Sequence, residues 1–170
     1  MIRKRPSNVI FMQTKIGLLS TALAVVLAAA SGAHADTTVY TGNACQAQQG
    51  DRAGDLFRST LDVRVVDGAP GLNVTCPIVR HNTENLDGIA RADVRVQSPT
   101  TEALLCQMQS RSALGDLLQF TNVTTTSQNV NVLAFKLEVS AIGGTYSLIC
   151  SLPPQGRILG YSVTEYDEKE

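Results

Sequence analysis

The 170 residues read as an all-β chain. The expected architecture is an antiparallel β-sandwich of about eight strands, stabilised by two disulfides. Three observations lead there. Apolar residues recur on alternate positions in run after run, which is the period of a half-buried strand. Glycine, proline and Asn/Asp-rich turns punctuate those runs at the spacing of a sandwich. After the first 35 residues no stretch carries the 3.6-residue period of an amphipathic helix, so no parallel crossover unit is expected.

The chain opens on Arg3, Lys4, Arg5 and Lys15, followed by an apolar run from Ile16 to Ala30 and then Ala33-His34-Ala35. A basic start, an apolar stretch and a small-residue cleavage pattern make residues 1–35 a signal peptide, cut before Asp36. The run is shorter than the roughly 20 apolar residues of a spanning helix, so no stable membrane insertion is expected after cleavage. The product, residues 36–170, is expected to be one domain, secreted or periplasmic. Four of the 14 Lys and Arg fall in the leader and none of the 15 acids does, which leaves a formal charge of −5. That balance argues against nucleic acid as a partner, because phosphate binding rests on clustered basic side chains.

From Asp36 to Gly54 the chain is polar, holds Cys45, and offers a short strand near Thr38 to Tyr40. Leu61, Val63 and Val65 alternate with Asp62 and Arg64, as a strand within Leu56 to Val66. Asp67-Gly-Ala-Pro-Gly71 is a turn. Leu72, Val74, Cys76 and Ile78 alternate next, and Pro77 in their midst marks an edge or a bulge because it cannot donate to a ladder. His81 to Gly88 is a polar loop. Ala90, Ala92, Val94 and Val96 alternate with Arg91, Asp93 and Arg95, a set that reads as a solvated face with cross-strand charge pairing. Leu104, Cys106 and Met108 give another strand, Leu117 to Thr121 a short one, and Thr124 to Asn131 a polar loop.

The C-terminal part carries the clearest pattern. Leu133, Phe135, Leu137 and Val139 alternate, then Tyr146, Leu148, Cys150 and Leu152, then Leu159, Tyr161 and Val163. Gly143-Gly144 suits a tight hairpin turn, and Pro153-Pro154-Gln155-Gly156 suits a turn centred on Pro154-Gln155. Together these predict a three-stranded meander in which Leu137 pairs with Cys150 and Phe135 with Leu152.

Four cysteines in an exported chain are expected to form two disulfides, with three connectivities open. Cys45–Cys76 with Cys106–Cys150 closes the shorter loops and is the expected pairing. With Cys150 facing Leu137 in a meander, its partner must lie on another strand or in the opposing sheet. There is no C-x-x-C pair, and His81 is the one histidine left after residue 35, so neither a metal nor any other cofactor is expected.

Catalytic material is thin. There is no G-x-S-x-G, no glycine-rich phosphate loop and no histidine pair. His81 in its polar loop reads as solvated. Among the acids, Glu165 shares parity with buried Tyr161 and Val163, so it is expected to be semi-buried and tied to Arg157, Arg80 or a backbone group. With no Trp, and with Tyr146 and Tyr161 assigned to the core, Tyr40 and Tyr166 are the aromatic candidates for a sugar.

Ala44-Cys45, Cys76-Pro-Ile-Val-Arg80, Tyr146-Ser-Leu-Ile-Cys150-Ser-Leu-Pro153 and Tyr161-Ser-Val-Thr-Glu165 resemble the pattern of a group of small exported bacterial proteins. The resemblance spans most of residues 36–170. It implies a secreted, disulfide-stapled sandwich and transfers no activity. The functional expectation is a non-enzymatic binding or surface-associated module with a protein or glycan partner, using the His81–Gly88 and Thr124–Asn131 loops at one end of the sandwich. The alternatives are a carboxylate-dependent hydrolase of extracellular glycan built on Glu165, and a secreted inhibitor or adhesin subunit. Beyond the cysteines, the residues singled out are Glu165, Arg80, Arg157 and His81.

Overall fold

The alternation is realised as two antiparallel sheets packed face to face. The structure, a computed structural model, describes residues 37–81, 83, 84 and 86–166. The expected leader lies outside the described residues. In chain order the strands are β1 (Thr37–Thr41), β2 (Gln46–Ala47), β3 (Leu56–Arg58), β4 (Val63–Val65), β5 (Leu72–Ile78), β6 (Ile89–Gln97), β7 (Leu104–Arg111), β8 (Leu117–Thr125), β9 (Val130–Leu137), β10 (Thr145–Leu152) and β11 (Arg157–Glu165). Short 3-10 segments at Gly42–Ala44 and Gly50–Asp55 are the helical content among the described residues. The count exceeds the expected eight because β2 has two residues, too few to show a period, and because the strand expected within Leu56 to Val66 is split into β3 and β4 by a turn at Ser59 to Asp62.

One sheet runs β3-β4-β11-β6-β9, with β1 paired to β11 beyond the end of β4. The other runs β2-β5-β10-β7-β8. Val94, Val96, Leu137 and Val163 from the first meet Val74, Leu104, Met108 and Leu148 from the second in a core that excludes water. Each such side chain contributes about 1.5–3 kcal/mol on burial.

The expected meander does not form. Strands β9 and β11 lie in the six-stranded sheet and β10 in the five-stranded one, so the chain changes sheet at both connections. Leu137 faces Ile89, and Cys150 faces Val74 on one side and Cys106 on the other. The physical reason is a degeneracy of the period-two pattern. Two strands that present alternate residues to one core do so equally well side by side in a sheet or across the gap between sheets. Turns form at both places nonetheless, the first centred on Ile142-Gly143 and not on Gly143-Gly144. The Gly156 N–H donates to the Pro153 carbonyl at 2.8 Å, with Gln155 at φ 58° in the third position, and the Gly144 N–H donates to Ala141 at 2.9 Å. They serve as corners between sheets, where hairpins had been expected.

The bridges are Cys45–Cys76 and Cys106–Cys150. The second joins directly opposed residues of β7 and β10. The first ties β5 to the turn that precedes β2.

Pro77 is accommodated by register. The Asn73 carbonyl accepts from the Gln48 N–H, so odd-numbered residues of β5 turn their backbone polar groups toward β2. Strand β2 pairs only as far as Gln46 opposite Thr75. The donor that Pro77 lacks therefore falls where the ladder has already stopped, an edge within an otherwise inner strand. The groups left over there are met from the other sheet. Tyr161 donates its hydroxyl to the Pro77 carbonyl at 2.5 Å, and the Tyr40 hydroxyl accepts from the Val79 N–H at 3.0 Å and donates to its carbonyl at 3.1 Å. The two rings stack at 4.7 Å. Tyr40 is thus committed to structure and is not the open aromatic platform expected of it.

Candidate binding site

The sequence candidates separate into two places. Arg80, His81 and Glu165 come together at the end of the sandwich where β5 and β11 finish and β6 begins. Glu165 is 5% exposed and accepts from the His81 backbone N–H at 3.1 Å. The His81 ring Nε2 shares a 2.7 Å hydrogen bond with the Thr38 hydroxyl. Arg80 is 9% exposed; its guanidinium donates to the carbonyls of Ala141 at 2.6 Å and Gly144 at 3.3 Å, and lies 5.0 Å from the Tyr146 ring centre. Burial raises the Tyr146 phenol above its usual range, against the neighbouring Ser140 and the Arg80 charge, which lower it; the Glu165 charge adds to the rise. These groups clasp the segment after β5 onto the corner before β10.

Arg157 does not join them. It stands at the opposite end of β11 from Glu165, 3.9 Å from Asp62, so the expected Arg157–Glu165 tie is excluded by strand length. The two expected recognition loops also part. Ile89, beside the 81–88 loop, faces Leu137, whereas Val130, beside the 126–129 loop, faces Gln97 at the far end of β6. The loops therefore lie at opposite ends of the sandwich.

A site that loop reasoning did not find lies on the outer face of the six-stranded sheet. A groove of about 780 Å³ runs over β1, β11, β6 and β9. That volume is within the range of small-ligand pockets. Its polar row is Arg91, Asp93 and Arg95, brought to one face by the alternation of β6. Its walls are aliphatic. Val39 is 77% exposed, Leu61 66% and Val132 56%, with Val130 and Leu159 beside them. Arg91 pairs with Asp93 at 2.7 Å along the same strand. The cross-strand neighbours of this row are Thr164, Ser162, Gly160, Ala134 and Val132. The expected cross-strand charge pairing is therefore absent from this row. Oδ1 of Asp93 is buried and has no hydrogen-bond partner among the described residues.

No family model matches the chain, and no curated protein matches it. Solved structures do. The chain is similar to the C-terminal CBM6 of LamC, a marine laminarinase from Zobellia galactanivorans, at 15% identity and a TM-score of 0.50, covering 76% of this chain and 100% of that one. It is also similar to the CBM36-1 domain of a multidomain xylanase from the hindgut metagenome of Trinervitermes trinervoides, at 7% identity and a TM-score of 0.50, covering 79% and 100%. At these identities the likeness is one of fold.

The two outer faces differ in chemistry. On the five-stranded sheet the Arg111 Nε donates to Gln109 at 3.1 Å, Gln109 donates to Gln107, and Gln107 donates to Asn122 at 2.8 Å, three neutral amides in series behind one arginine. On the six-stranded sheet the charged row is incompletely paired and sits between aliphatic walls. The second arrangement can hold a ligand that is apolar on its faces and polar at its rim. Among the described residues no three His, Cys, Asp or Glu side chains converge on a metal position, and no helix is long and apolar enough to cross a membrane.

Proposed function

We propose that this chain is an exported binding module whose ligand is an extracellular glycan, held in the groove on the outer face of the six-stranded sheet. The carrying observation is the Arg91-Asp93-Arg95 row flanked by exposed aliphatic side chains. A pyranose ring has apolar C–H faces and an equatorial rim of hydroxyls. Aliphatic walls suit the faces, while arginine and aspartate suit the rim as donor and acceptor. The neighbours in fold are themselves carbohydrate-binding modules of a laminarinase and a xylanase, which supports the same reading. The two disulfides fit an oxidising compartment, which supports the reading of residues 1–35 as an export signal. The hydrolase alternative is not favoured, because Glu165 is buried, engaged with His81, and outside the groove.

Retention of the oxidised protein on a panel of insoluble plant, algal and bacterial polysaccharides tests the proposal. At least one should retain it. Val132→Asp, which places a charge on the aliphatic wall, should release it, while Thr124→Asp on the other sheet should not. Failure of every polysaccharide to retain the folded protein would sink the reading.

A further inference from the structure

The groove carries a charge that the chain as a whole does not. Residues 36–170 are formally −5, yet the register lines up basic side chains on one outer face. Arg64 lies directly across from Arg157, which faces Gln97 on its other side. Arg95 follows on β6, then Asp93, then Arg91, with Lys136 on β9 beyond. Most of these cations are engaged. Arg91 is held by Asp93 and Lys136 by Glu138 at 3.0 Å; Arg157 faces Asp62, and Arg64 lies 4.8 Å from the Phe57 ring centre. Arg95 differs. Its cross-strand neighbours are Gly160 and Val132, and it has no acidic partner among the described residues. It lines the groove and is exposed.

We infer that the groove selects a glycan bearing carboxylates, a uronate-containing polysaccharide, with Arg95 pairing the carboxylate; this rests on the binding-module reading above. A guanidinium presents a planar fork that matches a carboxylate bidentately, and such charge-assisted pairs are roughly twice as strong as neutral hydrogen bonds. Asp93 sets the limit on anionic charge. It lies two residues from Arg95 on the same face of β6, where it repels a densely charged phosphate backbone. The walls make the same distinction. They are aliphatic, and the tyrosines beneath, Tyr40 and Tyr161, have their hydroxyls engaged with Val79 and Pro77 of the opposite sheet. A single-stranded nucleic acid would call for exposed aromatic faces on which bases stack.

Titration of the oxidised protein with polygalacturonate, with the same polymer fully methyl-esterified, with laminarin and xylan, and with a DNA duplex separates the possibilities. Polygalacturonate should bind about ten-fold tighter than its ester, and its affinity should fall as salt rises from about 50 to about 200 mM. Arg95→Ala should remove most of that preference without changing the thermal midpoint. Arg64→Ala, which removes the same charge outside the groove, should change affinity by less than about two-fold. Equal binding of the ester and the acid, with Arg95→Ala inert, would overturn the preference and leave the glycan-binding reading standing. Equal loss in both variants, or DNA binding as tight as polygalacturonate, would show attraction by charge alone and overturn it too. Binding to none of the polysaccharides overturns both.

Discussion

The Tyr161 hydroxyl reaches from one sheet to the other and donates to the Pro77 carbonyl at 2.5 Å. It satisfies a backbone acceptor at the one point of β5 where the neighbouring strand has run out. Tyr161→Phe should lower stability by about 1 kcal/mol at neutral pH, read from urea unfolding. Burial pushes the Tyr161 phenol well above its ordinary value near 10, and the neighbouring Tyr40 adds to the shift. The folded state therefore keeps a proton that the unfolded state releases. Stability is intact below about pH 10 and falls as pH rises beyond it. The fall should be shallower in Tyr161→Phe, with the remainder coming from Tyr146, whose phenol burial also raises.

Replacing Cys106 and Cys150 together by alanine should cost about 4 kcal/mol. The bridge closes a 44-residue separation, and its removal frees the unfolded chain. Cys45–Cys76, at 31 residues, should contribute nearly as much. Denaturant midpoints of each double variant under oxidising conditions check both values.

Arg80→Met keeps much of the side-chain volume and strips the donor from the Ala141 and Gly144 carbonyls. The expected loss is about 2–3 kcal/mol, with faster amide exchange concentrated in residues 141–146. Arg80→Lys should recover only part of it, because one ammonium lacks the spread of the guanidinium across two acceptors.

Gly144 sits where a side chain has no room. A Cβ there would lie 2.4 Å from the Arg111 carbonyl oxygen and 2.9 Å from that of Ala141. Gly144→Ala should lower the thermal midpoint clearly, by about 2 kcal/mol or more in stability. Gly50→Ala, with no heavy atom within 4 Å of the built Cβ, is the matched control and should be near neutral.

The inward face of nearly every long strand was legible in the sequence, because Leu72-Val74-Cys76-Ile78 and Leu133-Phe135-Leu137 announce a core by parity. Strand partners were not. Parity says which way a residue faces and nothing about which strand lies beside it, so Leu137 and Cys150 were matched although they belong to different sheets. The burial of Glu165 followed from the same parity, and its His81 contact did not, since those residues are 84 apart in sequence. The groove was missed for a related reason. Val39, Leu61 and Val132 come from distant parts of the chain and gather only after β1 and β4 share the edge of β11. One local signal was present. Val130 and Val132 are branched apolar residues on the parity opposite to Leu133 and Phe135, where a solvated face would carry polar side chains.

Alternation between sheets at the end of the chain constrains the order of assembly. Strand β10 is the middle of one sheet, between β5 and β7, and β11 is the hub of the other, touching β1, β4 and β6. Neither sheet can close before the last strands arrive. Apart from the local pairs β3–β4 and β7–β8, strand pairing joins segments remote in sequence, the condition for slow folding. A chain that lacked β10 and β11 would hold four separate strand pairs, β2 with β5, β3 with β4, β6 with β9 and β7 with β8, with open edges where the two hubs belong. The last two strands thus turn four pairs into two sheets.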